Sequence, residues 1–372
     1  MTYPNKILFA IPNFITAGSG RVLANIVEGL DREKFTPTIC VSKKGGAIDS
    51  ELAFQGIQVL KNPFTVDAKP YVGLWGRAKK VAQFFRPYHF DLWHSWHYAD
   101  DYTEPIIARM AGAKAWVYTK KNMMWGGRAW IVRSLLAKRI IADNKTMPGL
   151  FFKRFGLQKK VSVISHGVDP DKFKPIEVNR LSFRRKNQLP LDKVLLGLVA
   201  HLLPIKGHDV LIAAAAKCPE IHLLFAGRAD DEDYFALLKN RISQQGLQKR
   251  VHFMGNVDDV PSFLAQMNII VLPTKKRGEG CPVSLLEAMA CGKACIATDV
   301  PGSRDIIEDG VSGVLVPPED PDSLAKAIRY LAGNSEIRKR LEDSALKRIL
   351  GKFTVEQEVN HLEKLHCEIL QN

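Results

Sequence analysis

Two glutamates eight positions apart open the run Glu279-Gly280-Cys281-Pro282-Val283-Ser284-Leu285-Leu286-Glu287-Ala288-Met289-Ala290-Cys291-Gly292 and sit within it. The preceding Ile269-Ile270-Val271-Leu272 reads as a buried parallel strand. Pro282 suits a first helical position and Gly292 a stop, so the unit is strand, loop, helix. The loop Gly280-Cys281-Pro282-Val283 would then offer free backbone N–H groups at a helix N-terminus, a natural seat for phosphate. Glu287 falls in an otherwise apolar helix, where an unpaired carboxylate is expensive. Sugar hydroxyls of a ligand would serve as its partner, as they do for the acid that grips ribose in dinucleotide sites.

Two further places could carry chemistry. Lys206-Gly207 follows the apolar strand Leu195–Ala200 through the loop His201-Leu202-Leu203-Pro204-Ile205 and precedes a helix starting near His208. A lysine at a helix N-terminus opposes the macrodipole, which prefers anions there, and makes sense if it faces a bound phosphate. Gly18-Ser19-Gly20-Arg21 follows the first strand and opens the first helix, with Ser19 as a cap and glycines that let a ligand approach the backbone. It is not G-x-G-x-x-G, because Leu23 holds the last position, so a nicotinamide or flavin site is poorly supported.

The segment 279–292 resembles the E-x7-E signature of retaining glycosyltransferases with the GT-B fold. The resemblance extends through Ala294–Gly302 and Asp309–Pro318, covering the second half in order and the first half more loosely. It implies two Rossmann-like α/β domains facing across a cleft, a nucleotide-diphosphate sugar as co-substrate, no other cofactor and no catalytic metal. By position, Glu279 approaches the transferred sugar and Glu287 holds the ribose, while Gly280, Cys281, Pro282 and Val283 form the loop between them. The family places an arginine five residues before Lys206, and both contact the donor diphosphate. Here that position is His201, which as a neutral imidazole donates one hydrogen bond but is no permanent cation. Gly18, Ser19 and Gly20 correspond to a glycine-rich loop near the donor phosphates and acceptor. Many relatives have a histidine near the acceptor hydroxyl where this chain reads Thr119-Lys120-Lys121-Asn122. Lys121 is either a desolvated base or a charged group that binds an anion, and the charged reading is preferred.

Competing structural readings exist for several of these residues. Glu279 has Lys275, Lys276 and Arg277 nearby as surface partners. Cys281 stands where phenylalanine is common and reads as a small filler. His94 and His97, at a strand end, are as compatible with core packing as with a site. Asp231-Glu232-Asp233 matches a D-x-D metal pattern but better suits a helix N-terminus, where acids are favoured.

The 372 residues suggest two domains, and 46% apolar content fills ordinary soluble cores. No run approaches the roughly 20 apolar residues of a spanning helix, and no signal peptide is read. Six scattered cysteines read as reduced thiols of a cytosolic protein. The net charge of +14 is uneven: residues 1–172 hold 26 Lys+Arg against 13 Asp+Glu, and residues 173–372 hold 27 against 26. A basic first half fits an anionic surface such as a membrane leaflet. Residues Asn122–Lys145 interleave aromatics with Arg128, Arg133, Lys138 and Arg139, and read either as an interfacial amphipathic helix or as a helix covering the sheet.

Short strands alternating with helices in both halves argue parallel sheets covered by helices. The expected domains are 1–172, taking the acceptor, and 173–352, taking the donor, with the terminal helix 353–372 crossing back onto the first. The combined reading is a retaining hexosyltransferase of cell-surface polysaccharide, lipopolysaccharide or glycolipid synthesis. It uses a nucleotide-diphosphate sugar, with UDP favoured over GDP because such donors are widespread. Its expected place is the cytoplasm, peripheral on the inner face of the cytoplasmic membrane, with no nucleic-acid partner. The rivals are a GT-B nucleotide-sugar epimerase, a non-catalytic sugar-nucleotide binder and a nucleic-acid-binding protein, the last without a recognisable motif.

Overall fold

Strands that are apolar on both faces are buried only when helices cover both sides of a parallel sheet. The computed structural model describes residues 4–14, 17–43, 47–276 and 278–371. It divides into two units, Met1–Gly167 with Val355–Asn372, and Val168–Thr354. The first unit thus ends at Gly167, inside the turn cluster 166–175 and five residues before the boundary that the sequence placed at 172. The last helix, Val355–Gln371, lies in the first unit.

The first unit carries seven strands: β1 (Asn5–Ile11), β2 (Phe35–Val41), β3 (Gln58–Lys61), β4 (Leu92–Ser95), β5 (Ala115–Lys120), β6 (Arg139–Ala142) and β7 (Val161–Val163). Their order is β3-β2-β1-β4-β5-β6-β7, all parallel. β3 has no counterpart in the sequence reading, because Gln58-Val59-Leu60-Lys61 is too short and polar to show a pattern. The second unit carries β8 (Val194–Val199), β9 (Ile221–Ala226), β10 (Val251–Gly255), β11 (Ile269–Leu272), β12 (Ala294–Thr298) and β13 (Val314–Val316). Their order is β10-β9-β8-β11-β12-β13, again all parallel.

In each sheet the chain runs outward one way and then restarts beside its first strand. The reversal points are β1/β4 and β8/β11. Connections at such a point leave the carboxyl ends of the two strands in opposite directions and open a crevice between them. The sequence-predicted site residues follow these strands: Gly18–Gly20 after β1, and His201, Lys206 and Glu279 after β8 and β11.

The last helix is tied into the first unit by side chains. Glu358 accepts hydrogen bonds from the Gly167 amide (2.7 Å) and His166 Nδ1 (2.9 Å), while His166 Nε2 faces Asp143 at 3.2 Å. Burial acts to lower the His166 pKa, but the Asp143 and Glu358 carboxylates outweigh it and raise it to about 10. A raised imidazolium contributes stability that is fully present below its ordinary value near 6.5 and is lost as pH rises through about 10.

Among the described residues, no helix is long and apolar enough to cross a membrane. All six cysteines are free thiols. Of the two readings of 122–145, the burial of Trp130 and Arg133 favours a helix covering the sheet, while Val132, Leu135 and Leu136 on the same helix stay exposed. The helix there covers only Arg128–Leu136, and both Trp130 and Arg133 point inward. Arg133 is fully buried because Glu104, also fully buried, lies 3.2 Å away.

Candidate functional site

In the second unit, three loops meet at the ends of β8, β9 and β11. The β8 loop carries the short turn Pro204–Lys206 and then Gly207, in the left-handed region at φ 74°, which starts the helix His208–Ala215. A β-carbon at Gly207 would collide with the Pro273 carbonyl oxygen, so only glycine lets the β8 loop lie against the β11 loop. The Lys275 amide donates to the Ile205 carbonyl at 2.9 Å and pins the two loops together. The β9 loop is stitched on as well: the Leu202 amide donates to the Arg228 carbonyl at 2.8 Å, and Gly227 fits where a β-carbon would strike the Ala200 carbonyl.

This stitching brings Lys206 and Glu279 into an ion pair. Of the surface partners considered for Glu279, Lys275 is engaged elsewhere, 2.9 Å from Asp209. Arg277 lies outside the described residues. Burial pushes the Lys206 ammonium down to about 8. A pKa of about 8 still leaves Lys206 mostly an ammonium at neutral pH.

The sequence placed Pro282 at the first helical position. It sits one step earlier, as the cap of the helix Val283–Ala290, and Gly292 ends that turn at φ 65°. Gly302 allows the next helix to close on the Gly280–Pro282 loop, since a β-carbon there would lie 2.9 Å from the Pro282 ring. Cys281 packs against the apolar core, the filler role its size suggested. The helix buries Leu285, Leu286, Ala288, Met289 and Ala290 and leaves Glu287 half-buried.

Burial pushes the Glu287 carboxyl up to about 7, and Lys172 acts the other way. Between its ordinary value near 4.5 and about 7 the folded chain holds a proton that the unfolded chain has lost. Stability therefore falls as pH rises across that window. An ionised carboxylate accepts from both hydroxyls of a diol, which a neutral acid does less well. Nucleotide-sugar affinity is expected to climb up to about tenfold per pH unit below 7 and then level off. Glu287→Gln should flatten the profile; a native profile already flat in titration calorimetry would remove Glu287 from diol binding.

His201 Nδ1 lies 3.3 Å from Asp230, and Arg228 lies 3.4 Å from the same carboxylate. Burial, then the Arg228 charge, lowers the His201 pKa, so the imidazole is neutral at pH 7. Arg228 is a residue the sequence reading missed. Its only local signal was a cation directly after the strand-ending Gly227. Asp231 accepts from the Tyr234 amide at 2.9 Å and begins the helix Glu232–Gln244, the helix-start reading of the D-x-D pattern.

In the first unit the structure alters the glycine-rich loop. The helix Ala17–Gly29 already includes Gly18, Ser19 and Gly20, so Ser19 lies inside the first turn and is not its cap. Its hydroxyl instead accepts from the Lys121 ammonium at 2.7 Å. Lys121 also donates to the Trp96 carbonyl at 2.7 Å and lies over the Trp96 and Tyr98 rings at 4.8 and 5.3 Å. Burial lowers its pKa to about 7, with Asp143 opposing. Lys121 therefore changes charge near neutrality and suits a proton acceptor as well as an anion ligand.

His94 is core. It is fully buried, 2.8 Å from Thr119 Oγ1 and 3.3 Å from His366, and burial holds it neutral. His97, lowered to about 4 by burial and then by Arg133, is neutral as well. His97, Asp101 and Glu104 bring possible metal-ligand atoms within 4.8 Å of one another, but the Arg133 guanidinium already lies on Glu104.

Two family models match the chain: Glycosyl transferases group 1 over residues 179–348 and Glycosyltransferase Family 4 over residues 16–172. An uncharacterized glycosyltransferase of Methanocaldococcus jannaschii is 28% identical over 226 residues, 57% of this chain and 56% of the relative. The chain thus spans little more than half the length of that relative. The UDP-Gal:alpha-D-GlcNAc-diphosphoundecaprenol alpha-1,3-galactosyltransferase of Escherichia coli is 24% identical, over 96% of this chain and 95% of its own. The crystal structure of a Rickettsia africae glycosyltransferase superposes with a TM-score of 0.87 at 20% identity, covering 100% of both chains. With two parallel-sheet Rossmann-like domains and both family models matched in order, the chain belongs to the group 1 and family 4 glycosyltransferases of the GT-B fold.

Proposed function

We propose that this protein is a retaining, metal-independent glycosyltransferase that moves a hexose from a nucleotide-diphosphate sugar, UDP-linked, to a lipid-linked or glycan acceptor of cell-surface synthesis. The observation that carries the reading is the Lys206–Glu279 ion pair at the carboxyl ends of the two reversal-point strands. The second unit binds the donor. Glu287 accepts from the ribose diol, and Glu279, held by Lys206, accepts from the sugar. Bond breaking between sugar and phosphate leaves negative charge on the diphosphate. Lys206 meets that charge from a desolvated position, where a cation is worth more than in water. Arg228 adds the permanent charge that His201 lacks, and the Val283 amide at the start of its helix completes the seat.

In this reading the first unit binds the acceptor, with Lys121 beside Ser19 taking or steadying a proton or an anionic group. Support for the donor and acceptor classes comes from the Escherichia coli relative, which by its name uses UDP-galactose and a diphosphoundecaprenol-linked sugar. The basic residues 1–172 support work at an anionic inner membrane face. The test is a thermal-shift screen against UDP-, GDP-, ADP- and dTDP-sugars beside Glu287→Ala. The melting temperature is expected to rise with UDP-sugars by mass action and to stay flat in the variant. Equal shifts in both proteins would move the ribose away from Glu287, and a shift with another base alone would replace UDP.

A further inference from the structure

Apolar side chains exposed singly need no explanation, but a cluster with aromatic members does. Tyr71 is 65% exposed, Val72 90% and Trp75 65%, all within five consecutive residues of the first unit. They occupy the turn that leads into the helix Leu74–Phe85 and its first residues. The helix turns Leu74, Ala78, Ala82 and Phe85 to the core. Its outer face continues from Trp75 through Lys79 and Lys80 to Phe84, itself 38% exposed.

The turn is built, not frayed. Arg77 donates to the carbonyls of Asp67 (3.0 Å), Pro70 (2.6 Å) and Val72 (3.2 Å) and so holds Tyr71 and Val72 outward. Gly73, at φ 82°, makes the sharp entry into the helix. Water is a poor neighbour for two aromatic rings and a valine.

Charge identifies the partner. Between Asp67 and Asp91 the chain has no acidic residue and five basic ones: Lys69, Arg77, Lys79, Lys80 and Arg86. A protein–protein interface core is depleted in lysine. Aromatics at headgroup depth ringed by lysines are instead the signature of an interfacial helix on anionic lipid. We propose that the turn Tyr71–Trp75 and the outer face of the helix Leu74–Phe85 dock this protein on an anionic bilayer. Val72 and the rings of Tyr71 and Trp75 enter the headgroup boundary, while Lys79 and Lys80 pair with lipid phosphates. The surface differs from the 122–145 segment that the sequence suggested, whose central Trp130 and Arg133 are buried. The proposal deepens the membrane-facing part of the functional reading, and its test uses no sugar transfer.

The full chain is sedimented with vesicles of phosphatidylcholine alone and of phosphatidylcholine with phosphatidylglycerol. Binding is expected on the anionic vesicles and to weaken severalfold as salt rises from about 0.1 to 0.5 M. Tyr71→Ser with Trp75→Ser should lower the partition coefficient about tenfold, and Lys79→Glu with Lys80→Glu by about as much or more, with the salt dependence reduced. All four side chains are exposed, so unchanged melting temperatures certify folding. If either double variant binds anionic vesicles as the native chain does, the proposal fails. It also fails if the native chain self-associates by sedimentation velocity and Tyr71→Ser with Trp75→Ser abolishes that, since the occupant would then be a second copy.

Discussion

Lys206→Ala is expected to lower kcat by about two to three orders of magnitude, with a smaller rise in the donor KM. The asymmetry follows from where the charge is. A diphosphate sugar already carries negative charge on its outer oxygens, so some of the lysine's attraction is spent equally on substrate and transition state. The additional charge that appears as the sugar departs is felt only in the transition state, and interactions made only there raise kcat. Lys206 is held for this by the ion pair with Glu279 and by the turn that Gly207 permits. Its removal also leaves Glu279 without that partner, so Lys206→Gln and Lys206→Arg belong in the same series, with melting temperatures as the folding control. Arg228→Gln should show a milder loss, mostly in donor KM, because Arg228 is 40% exposed and screened by solvent. Chelator in every assay tests metal independence directly. A kcat for Lys206→Ala within threefold of native would take the lysine out of the transition state and undo the mechanistic core of the proposal.

Arg133→Met is expected to cost the first unit about 3 to 5 kcal/mol, the range for breaking a buried charge pair from one side. Arg133 and Glu104 are both fully buried at 3.2 Å. Glu104 also accepts from Trp93 Nε1 at 3.0 Å and Ser95 Oγ at 2.6 Å, while Arg133 donates to Ser95 Oγ (2.7 Å) and the His97 and Asp101 carbonyls (3.0 and 3.1 Å). Burial already raises the Glu104 pKa in spite of Arg133. Without the guanidinium it should protonate, which caps the loss near the lower end of the range. The unfolding transition is expected to fall by about 10 °C. Arg133→Met with Glu104→Gln should recover much of it, since no unpaired charge remains. The same network fixes the chain from Ser95 to His97, whose Trp96 carbonyl and ring hold Lys121, so activity should fall with the single variant even below its melting temperature. A melting temperature within about 2 °C of native would show that the pair is not the anchor the geometry makes it.

Local pattern alone determined a good deal. Runs such as Ile269–Leu272 and Val194–Val199 are apolar on both faces over a strand's length, and this periodicity reports burial between helices whatever the strand order. The half-buried place of Glu287 was legible for the same reason, because its carboxylate interrupts an apolar helix close to a turn rich in glycine and proline. The N-terminal role of Asp231 was legible from helix-start chemistry. β3 was not, because four residues, half of them polar, carry no period.

Tertiary structure decided which loops meet. Lys206 finds Glu279 because β8 and β11 are neighbours, an order that the periodicity of neither strand contains. Ser19 binds Lys121 across 102 residues of chain for the same kind of reason, β1 and β5 flanking β4. The basic residues of 1–172 were countable in the sequence, but their fates were not. Arg133 is buried because a carboxylate from another helix reaches it, whereas Lys79 and Lys80 remain in solvent beside exposed aromatics. Composition fixes how much charge a chain carries; only the packing of distant elements decides which charges are neutralised inside and which are left to face a partner.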